Sequence, residues 1–230
     1  MVLRAAKPVP SKDYYSITKY YGNTYIIADD DGGSQYIEEF SGKSQLLTKE
    51  KLYDGNKDGI IQFGNNGILD LGQPDASSHT IRFYDINPLK GLRYLGENGD
   101  GQYVYASAAV RPKGAIEGTV GQDSFTGRTN VADTFFFDGA LDSGSGRDTI
   151  ANFGSEDRII STLPFSLDPF GSGDLVAEGD FGGSALSIVD TSGRVADGVT
   201  LLSTYQAHGL TYYVYKPTFT TGATAPDPEF

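Results

Sequence analysis

"NTYIIADD" at residues 23–30 and "DTFFFDGA" at residues 133–140 have one layout: Asn or Asp, then Thr, then three apolar residues, then a turn rich in Asp. A short apolar run that stops at turn residues reads as a β-strand. The offset of 110 between the two stretches belongs to a longer correspondence. "SITK" at 16–19 lies over "SFTG" at 124–127, and "YIEEFSG" at 36–42 lies over "TIANFGS" at 149–155, now at 113. At that offset Leu46, Leu47 and Leu52 fall on Ile159, Ile160 and Phe165. "GQYVYA" at 101–106 lies over "TYYVYK" at 211–216, back at 110. Loop insertions shift an offset between strands and leave each strand's own pattern intact. The chain therefore reads as two diverged copies, roughly 14–107 and 122–217.

The remaining apolar runs have the same character. "TIRFYDI", "ALSIV" and "TYYVY" are short, aromatic or β-branched, and bounded by Gly, Asp, Asn or Pro. The expected fold class is all-β, each copy forming a small sandwich of about seven strands. The expected division is 1–113 for the first module and 114–217 for the second, followed by a polar, Pro-containing tail at 218–230. One segment, "KSQLLTKEKLY" at 43–53, reads as a short helix, although its counterpart carries Pro164, which argues against a long one.

Composition narrows the partners. Eighteen basic against thirty acidic residues give a net charge of −12 in 230 residues. Such a surface repels phosphate backbones and attracts cations, so nucleic acid is not an expected partner. The chain has no Cys, which excludes disulfides and thiolate chemistry. No apolar stretch reaches the length of a membrane span, and "MVLRAAKPVPSK" lacks the apolar core of a signal peptide. A monomer is expected.

The acids gather at turns. In "LYDGNKDGIIQFGNNGILDL", residues 52–71, Asp54, Asn56 and Asp58 stand at alternate positions, followed by Gly59 and Ile60. That is the first half of an EF-hand calcium loop, in which alternate side-chain oxygens and the carbonyl of the seventh residue converge on the ion. The twelfth position holds Asn65 instead of Glu, so water or other residues would complete the shell. Asp29 and Asp30 after the first aromatic run, and Asp138, Asp142, Asp148 and Asp157 in the second copy, are further candidate calcium ligands. The alternative is an ordinary tight turn, since Asp-Gly and Asn are common turn residues.

"GTVGQDSFTG" and "GSGRDTI" (144–150) resemble the glycine-rich nonapeptides of RTX, or haemolysin-type, calcium-binding exoproteins. "ADTFFFDGALDSGSGRDTIANFGSEDRI" is similar to the strand-rich segment that follows the repeats in secreted serralysin-type proteins. The resemblance spans about 118–160. It implies calcium binding and type I export, with the tail as a possible secretion signal. The array of nonapeptides is interrupted, so a β-roll is not expected, and Asn152 stands where that family often has Asp. Over nearly the whole chain, the tandem layout in an acidic, cysteine-free protein resembles the Rhizobium-adhering (Rap) proteins. That resemblance implies two tandem cadherin-like modules in a secreted, calcium-dependent lectin or adhesin. It would bind acidic bacterial exopolysaccharide and act in cell aggregation and the biofilm matrix. The alternative is a calcium-stabilised structural or secretion module with no glycan ligand.

Tyr103 and Tyr105, and Tyr213 and Tyr215, recur at one end of each copy with the spacing of a shared strand face, and are candidate glycan contacts. No constellation for catalysis is present. His79 and His208 stand alone in the sequence, and there is neither a nucleophile elbow nor a phosphate loop, so an enzyme is not expected.

Overall fold

The computed structural model describes residues 19–21, 23–27, 34–37, 40–63, 68–70, 80–83, 91–139, 147–167, 175–177 and 185–219. Nineteen strands run along them. In the first half these are β1 (Lys19–Tyr21), β2 (Thr24–Ile27), β3 (Ser34–Ile37), β4 (Gln45–Thr48), β5 (Ile60–Ile61), β6 (Ile68–Asp70), β7 (Thr80–Phe83), β8 (Leu92–Glu97) and β9 (Tyr103–Ser107). In the second they are β10 (Ile116–Glu117), β11 (Ser124–Thr126), β12 (Thr134–Phe137), β13 (Arg147–Phe153), β14 (Arg158–Ser161), β15 (Phe165–Leu167), β16 (Leu175–Ala177), β17 (Ala185–Asp190), β18 (Gly198–Ala207) and β19 (Leu210–Thr218).

Four sheets result, ordered β1-β2-β4-β9-β8-β5, β3-β7-β6, β10-β12-β14-β19-β18 and β11-β13-β17-β16-β15. The first two share one core, containing Tyr25, Leu46 and Tyr105 from one sheet and Ile37, Ile81 and Phe83 from the other. The last two share a second, with Phe135, Ile159 and Tyr215 against Ile150, Leu186 and Ile188.

The register repeats between halves. Tyr25 pairs with Leu46 and Leu46 with Tyr105. Phe135 pairs with Ile159 and Ile159 with Tyr215. The hydroxyl of Tyr105 accepts the Leu52 amide at 2.8 Å, and that of Tyr215 accepts the Phe165 amide at 3.0 Å. β8 and β18 each meet the neighbouring strand through a register shift, at Tyr94/Glu97 and Leu201/Ser203. The pairs within β2, β4 and β9 coincide with those within β12, β14 and β19 at the offsets of 110 and 113 already visible in the sequence, while the shifts in β8 and β18 stand at 107 and 106.

One expectation is corrected. The segment 43–53 is not helical: Gln45–Thr48 form β4, a central strand with all four residues buried. β4 lies between β2 and β9, and a short apolar run buried on both faces lacks the alternation that would mark it as a strand. The sheets mix parallel and antiparallel pairs. β2 with β4, β3 with β7, β10 with β12, β12 with β14, β11 with β13 and β13 with β17 all run parallel. From β10 to β14 the chain alternates between two sheets, placing successive strands parallel to the one before last. That is the winding of a short parallel solenoid, in the stretch where the interrupted nonapeptides argued against one.

Part of the outer face of the β1-β2-β4-β9-β8-β5 sheet and of the β10-β12-β14-β19-β18 sheet is buried as well. Val120 packs with Leu47, Leu95 and Val104, while Val110 and Ala115 pack with Phe136, Leu210 and Tyr212. The connection between halves is thus core rather than free linker. Runs such as Phe135–Phe136 and Leu46–Leu47 are continuously apolar because both faces of their strands are covered.

Candidate functional site

The Asp54–Ile60 loop is folded by its own side chains. Asp54 accepts the Lys57 amide on Oδ1 at 2.9 Å and the Gly59 amide on Oδ2 at 2.8 Å. Asn56 Oδ1 accepts the Asp58 amide at 3.2 Å, and Asp58 Oδ1 accepts the Ile60 amide at 2.8 Å. The Asn56 amide group donates to Asp58 Oδ2 at 2.9 Å. Lys57 at φ 57° and Gly59 at φ 80° take left-handed backbone, which turns the chain sharply enough to bring alternate residues together. The loop then enters β5, whose Ile60 and Ile61 pair with Arg93 and Leu92 on the edge of β8. Tyr53, 51% exposed, stands beside the loop with its ring against Gly55. A carboxylate oxygen that takes one amide keeps a lone pair for a cation, so these contacts leave Asp54 and Asp58 able to coordinate. Among the described residues, no group of three or more His, Asp or Glu gathers as a metal set. The loop itself offers two carboxylates, an amide oxygen and the Ile60 carbonyl. Asn65, Asp29, Asp30, Asp142 and His79 lie outside the described residues.

The acids of the second half that are described have structural duties. Asp157 is buried; its Oδ1 accepts the Asp133 amide at 2.8 Å and its Oδ2 the Gly154 amide at 2.8 Å. Asp148, also buried, accepts the Asp123 amide at 2.9 Å, and burial pushes its carboxyl up to about 6. Asp133 accepts the Arg128 amide at 2.7 Å and the Arg128 guanidinium, whose hydrogen bond holds the carboxyl below its usual range. Each of these acids stands at or just before the start of a strand, and two accept the amide of the corresponding acid one coil earlier. A recurring Asp-x-apolar at 123, 133, 148 and 157 was the available signal for this ladder, and Asp123 and Asp133 were missed.

Asp138, read from the sequence as a candidate calcium ligand, is buried at the junction of the halves. It is paired with the buried Arg93 guanidinium and accepts the Thr162 hydroxyl at 2.9 Å. Arg93 Nε donates to Glu117 Oε1 at 2.9 Å, and Nη1 donates to the Ser107 carbonyl. β8 of the first half, β10 and the end of β12 are thereby tied together by one cation between two acids. Burial is the main reason that the Glu117 carboxyl is pushed up to about 7; the neighbouring Asp138 adds to it, and Arg93 only partly offsets it. A lone Arg in "GLRYLGE" carries no mark of this role.

The four tyrosines read as candidate glycan contacts pack in or against the two cores. Tyr105 and Tyr215 are core residues whose hydroxyls serve Leu52 and Phe165, so they present no surface to a glycan. Tyr103 and Tyr213 are partly buried and pack against the same two cores. His208, exposed at φ 53°, forms with Gly209 at φ 74° the two-residue turn of the β18–β19 hairpin. Its backbone carbonyl lies over Gly42 of the first half, where an added Cβ would come within 2.7 Å. Among the described residues, no helix is long and apolar enough to cross a membrane. No protein-family model, curated protein or solved structure matches this chain.

Proposed function

We propose that the chain is a calcium-stabilised extracellular β protein whose cation loop is Asp54–Ile60, and that its two halves descend from one duplicated module. The carrying observation is the loop itself. Three oxygen-bearing side chains at alternate positions are held by backbone amides about two left-handed residues. Without a cation, Asp54 and Asp58 repel each other across this exposed turn. Calcium would cancel that repulsion and hold β5 on the edge of β8. Any ligand that binds the folded form selectively stabilises it, by about 2.7 kcal/mol at a hundredfold excess over its Kd. Thermal unfolding in calcium and in chelator tests this reading: the melting temperature rises with calcium in wild type and stays flat in Asp54→Asn/Asp58→Asn. Equal melting temperatures for wild type in both buffers would sink it.

A second reading adds a glycan ligand, and Tyr53 is the observation in its favour. An exposed ring beside a cation loop offers a sugar both an apolar face and a metal to bridge its carboxylate. In that reading the protein is a calcium-dependent lectin for acidic bacterial exopolysaccharide, acting in aggregation and the biofilm matrix. Calorimetry with a purified acidic exopolysaccharide distinguishes the two: heat only in calcium, lost in Tyr53→Ala, supports the lectin. No heat in either buffer leaves the structural role alone.

A further inference from the structure

One side chain from each part of the molecule meets at the junction. Arg93 comes from β8 of the first half, Glu117 from β10 in the connecting segment, and Asp138 from just after β12 in the second half. Their side chains are 2%, 4% and 0% exposed. Among the described residues Arg93 is the only buried Lys or Arg. Fully ionised, the cluster would hold one positive and two negative charges, and an uncompensated charge away from water is costly. One proton balances it. The other groups that face the cluster do not replace that proton. Arg111 is exposed on the connecting segment, and Tyr212 of β19 is neutral, its hydroxyl donating to the Val110 carbonyl at 2.8 Å.

The proton belongs on Glu117. Asp138 accepts from the Arg93 guanidinium and from the Thr162 hydroxyl at 2.9 Å. That hydroxyl is oriented, because its oxygen takes the Gly139 amide at 2.6 Å. Glu117 accepts Arg93 Nε on Oε1 at 2.9 Å, and no second donor reaches it among the described residues. Donors favour the ionised form, so Asp138 is the better-served carboxylate. Glu117 also lies in the segment that covers both sheets. To one side Val110 and Ala115 pack on Phe136, Leu210 and Tyr212. To the other Val120 packs on Leu47, Leu95 and Val104, and its amide donates to the Leu95 carbonyl at 2.6 Å. Each half keeps its own core beneath, around Leu46 and Tyr105 or around Ile159 and Tyr215. The segment can therefore lift without unfolding either core.

We propose that residues 108–120 form a proton-held strap: protonated Glu117 seats it across both sheets, and ionisation of Glu117 loosens it and bares the apolar faces beneath. With Glu117 protonated, Arg93 balances Asp138 and the buried cluster is neutral. When Glu117 ionises, the cluster carries a net negative charge, and lifting the strap relieves it by bringing the carboxylate to water. Closed, the Glu117 carboxyl is pushed up to about 7; open, it returns to its ordinary 4.5. Closure is therefore strongest at low pH and weakens as pH rises through 7. The faces bared are those of Leu95 and Val104 in one sheet and of Phe136 and Tyr212 in the other.

Amide exchange of the full chain, read by mass spectrometry at about pH 5 and pH 8 and corrected for intrinsic rates, tests the strap. In wild type, protection across 110–120 should fall at least roughly tenfold between the two, while β4 and β14 in the cores stay protected. Glu117→Gln keeps an acceptor for Arg93 without the charge, and its strap should stay protected at pH 8. Asp138→Asn should stay protected as well, because Arg93 then balances the ionised Glu117. This second variant keeps the test decisive if the first does not give the wild-type circular dichroism spectrum. Unchanged strap protection in wild type overturns the proposal, and so does an equal fall in strap and cores. A fall that persists in Asp138→Asn overturns the charge balance on which the strap rests.

Discussion

The two halves share the order of four strands, β2-β4-β9-β8 and β12-β14-β19-β18, and the register of the first three, yet they cap their turns with different chemistry. In the second half Asp157 accepts the Gly154 amide; in the first, at the matching positions, the Ser44 hydroxyl accepts the Ser41 amide at 3.0 Å. Asp133 has Asn23 as its counterpart and Asp148 has Gln35. The geometry of the turn survives the exchange of a buried carboxylate for a neutral group, because what the turn requires is an acceptor for its amide. The first half places its acids instead on an exposed loop that leads into β5 and covers the sheet edge. In the second half no described strand pairs with that edge. Comparing the two halves thus separates two demands, acceptor supply and charge placement, that either half alone would confound.

The largest test lies where the halves meet. Arg93→Met would leave Asp138 and Glu117 buried without a cation, and breaking a buried pair from one side costs about 3–5 kcal/mol. The matching position in the second half is Thr200, exposed on β18; Thr200→Met should change stability by no more than about 0.5 kcal/mol. Urea denaturation of both variants checks the contrast, and equal costs would show that the junction is not where the charge is concentrated.

The same junction should respond to pH. The folded-state value of about 7 for Glu117 lies above the ordinary value of 4.5, so between these the folded protein holds a proton that the unfolded chain has released. Stability from this group is therefore complete below about pH 4.5 and is lost as pH rises through 7. Glu117→Gln should remove that decline, raising stability at pH 8 by on the order of 2 kcal/mol relative to wild type and by much less at pH 4. Asp133 and Asp190 have the opposite sign: hydrogen bonds hold their carboxyls below the usual range, and their contribution is lost on acidification. A wild-type profile that parallels Glu117→Gln from pH 4 to 8 would remove Glu117 from the account.

Turn capping gives a finer comparison. Asp157→Ser installs the first half's solution in the second. A single hydroxyl can still take the Gly154 amide, but the Asp133 amide loses its partner, at about 1–2 kcal/mol. Asp157→Ala loses both, and should cost about twice as much. If serine is no better than alanine, the resemblance between the two turns is one of shape only.

Much of this was open to reading. The runs at 24–27, 80–83, 103–107, 134–137 and 185–190 are strands because short aromatic and β-branched stretches between turn residues leave little alternative. What stayed hidden has physical causes. Apolar pattern reports how buried a strand is and says nothing of its direction, so the parallel pairs could not be seen. β4 lost its alternation by being buried on both faces. Arg93 is invisible because its role depends on Glu117 and Asp138, which are 24 and 45 residues away. The Asp54 loop was legible because its contacts are local: every hydrogen bond that shapes it spans five residues or fewer. The acids of the second half were read as one kind with that loop, and their duties could be separated from it only by burial and by the strands they begin.

The smallest effect gives the strictest test of equivalence. The hydroxyls of Tyr105 and Tyr215 each accept a backbone amide within a core, that of Leu52 at 2.8 Å and that of Phe165 at 3.0 Å. Removing the oxygen alone, by Tyr105→Phe or Tyr215→Phe, leaves the ring and its packing in place. What is lost is one acceptor for one amide, about 1 kcal/mol in a typical case. The absolute cost matters less than the comparison. If the halves keep the same core geometry despite different neighbours, the two substitutions should agree within about 0.5 kcal/mol, and the double variant should cost their sum, since well-separated sites add. A larger disagreement would mean that one of these amides finds another acceptor when the tyrosine withdraws. The Leu52 amide precedes the charged loop at Asp54, while the Phe165 amide lies in a strand, and a loop that can shift has more ways to satisfy a donor than a paired strand has. The expected direction of any residual difference is therefore a smaller cost at Tyr105, and chemical denaturation of the three variants at one pH and one calcium concentration is sufficient to see it.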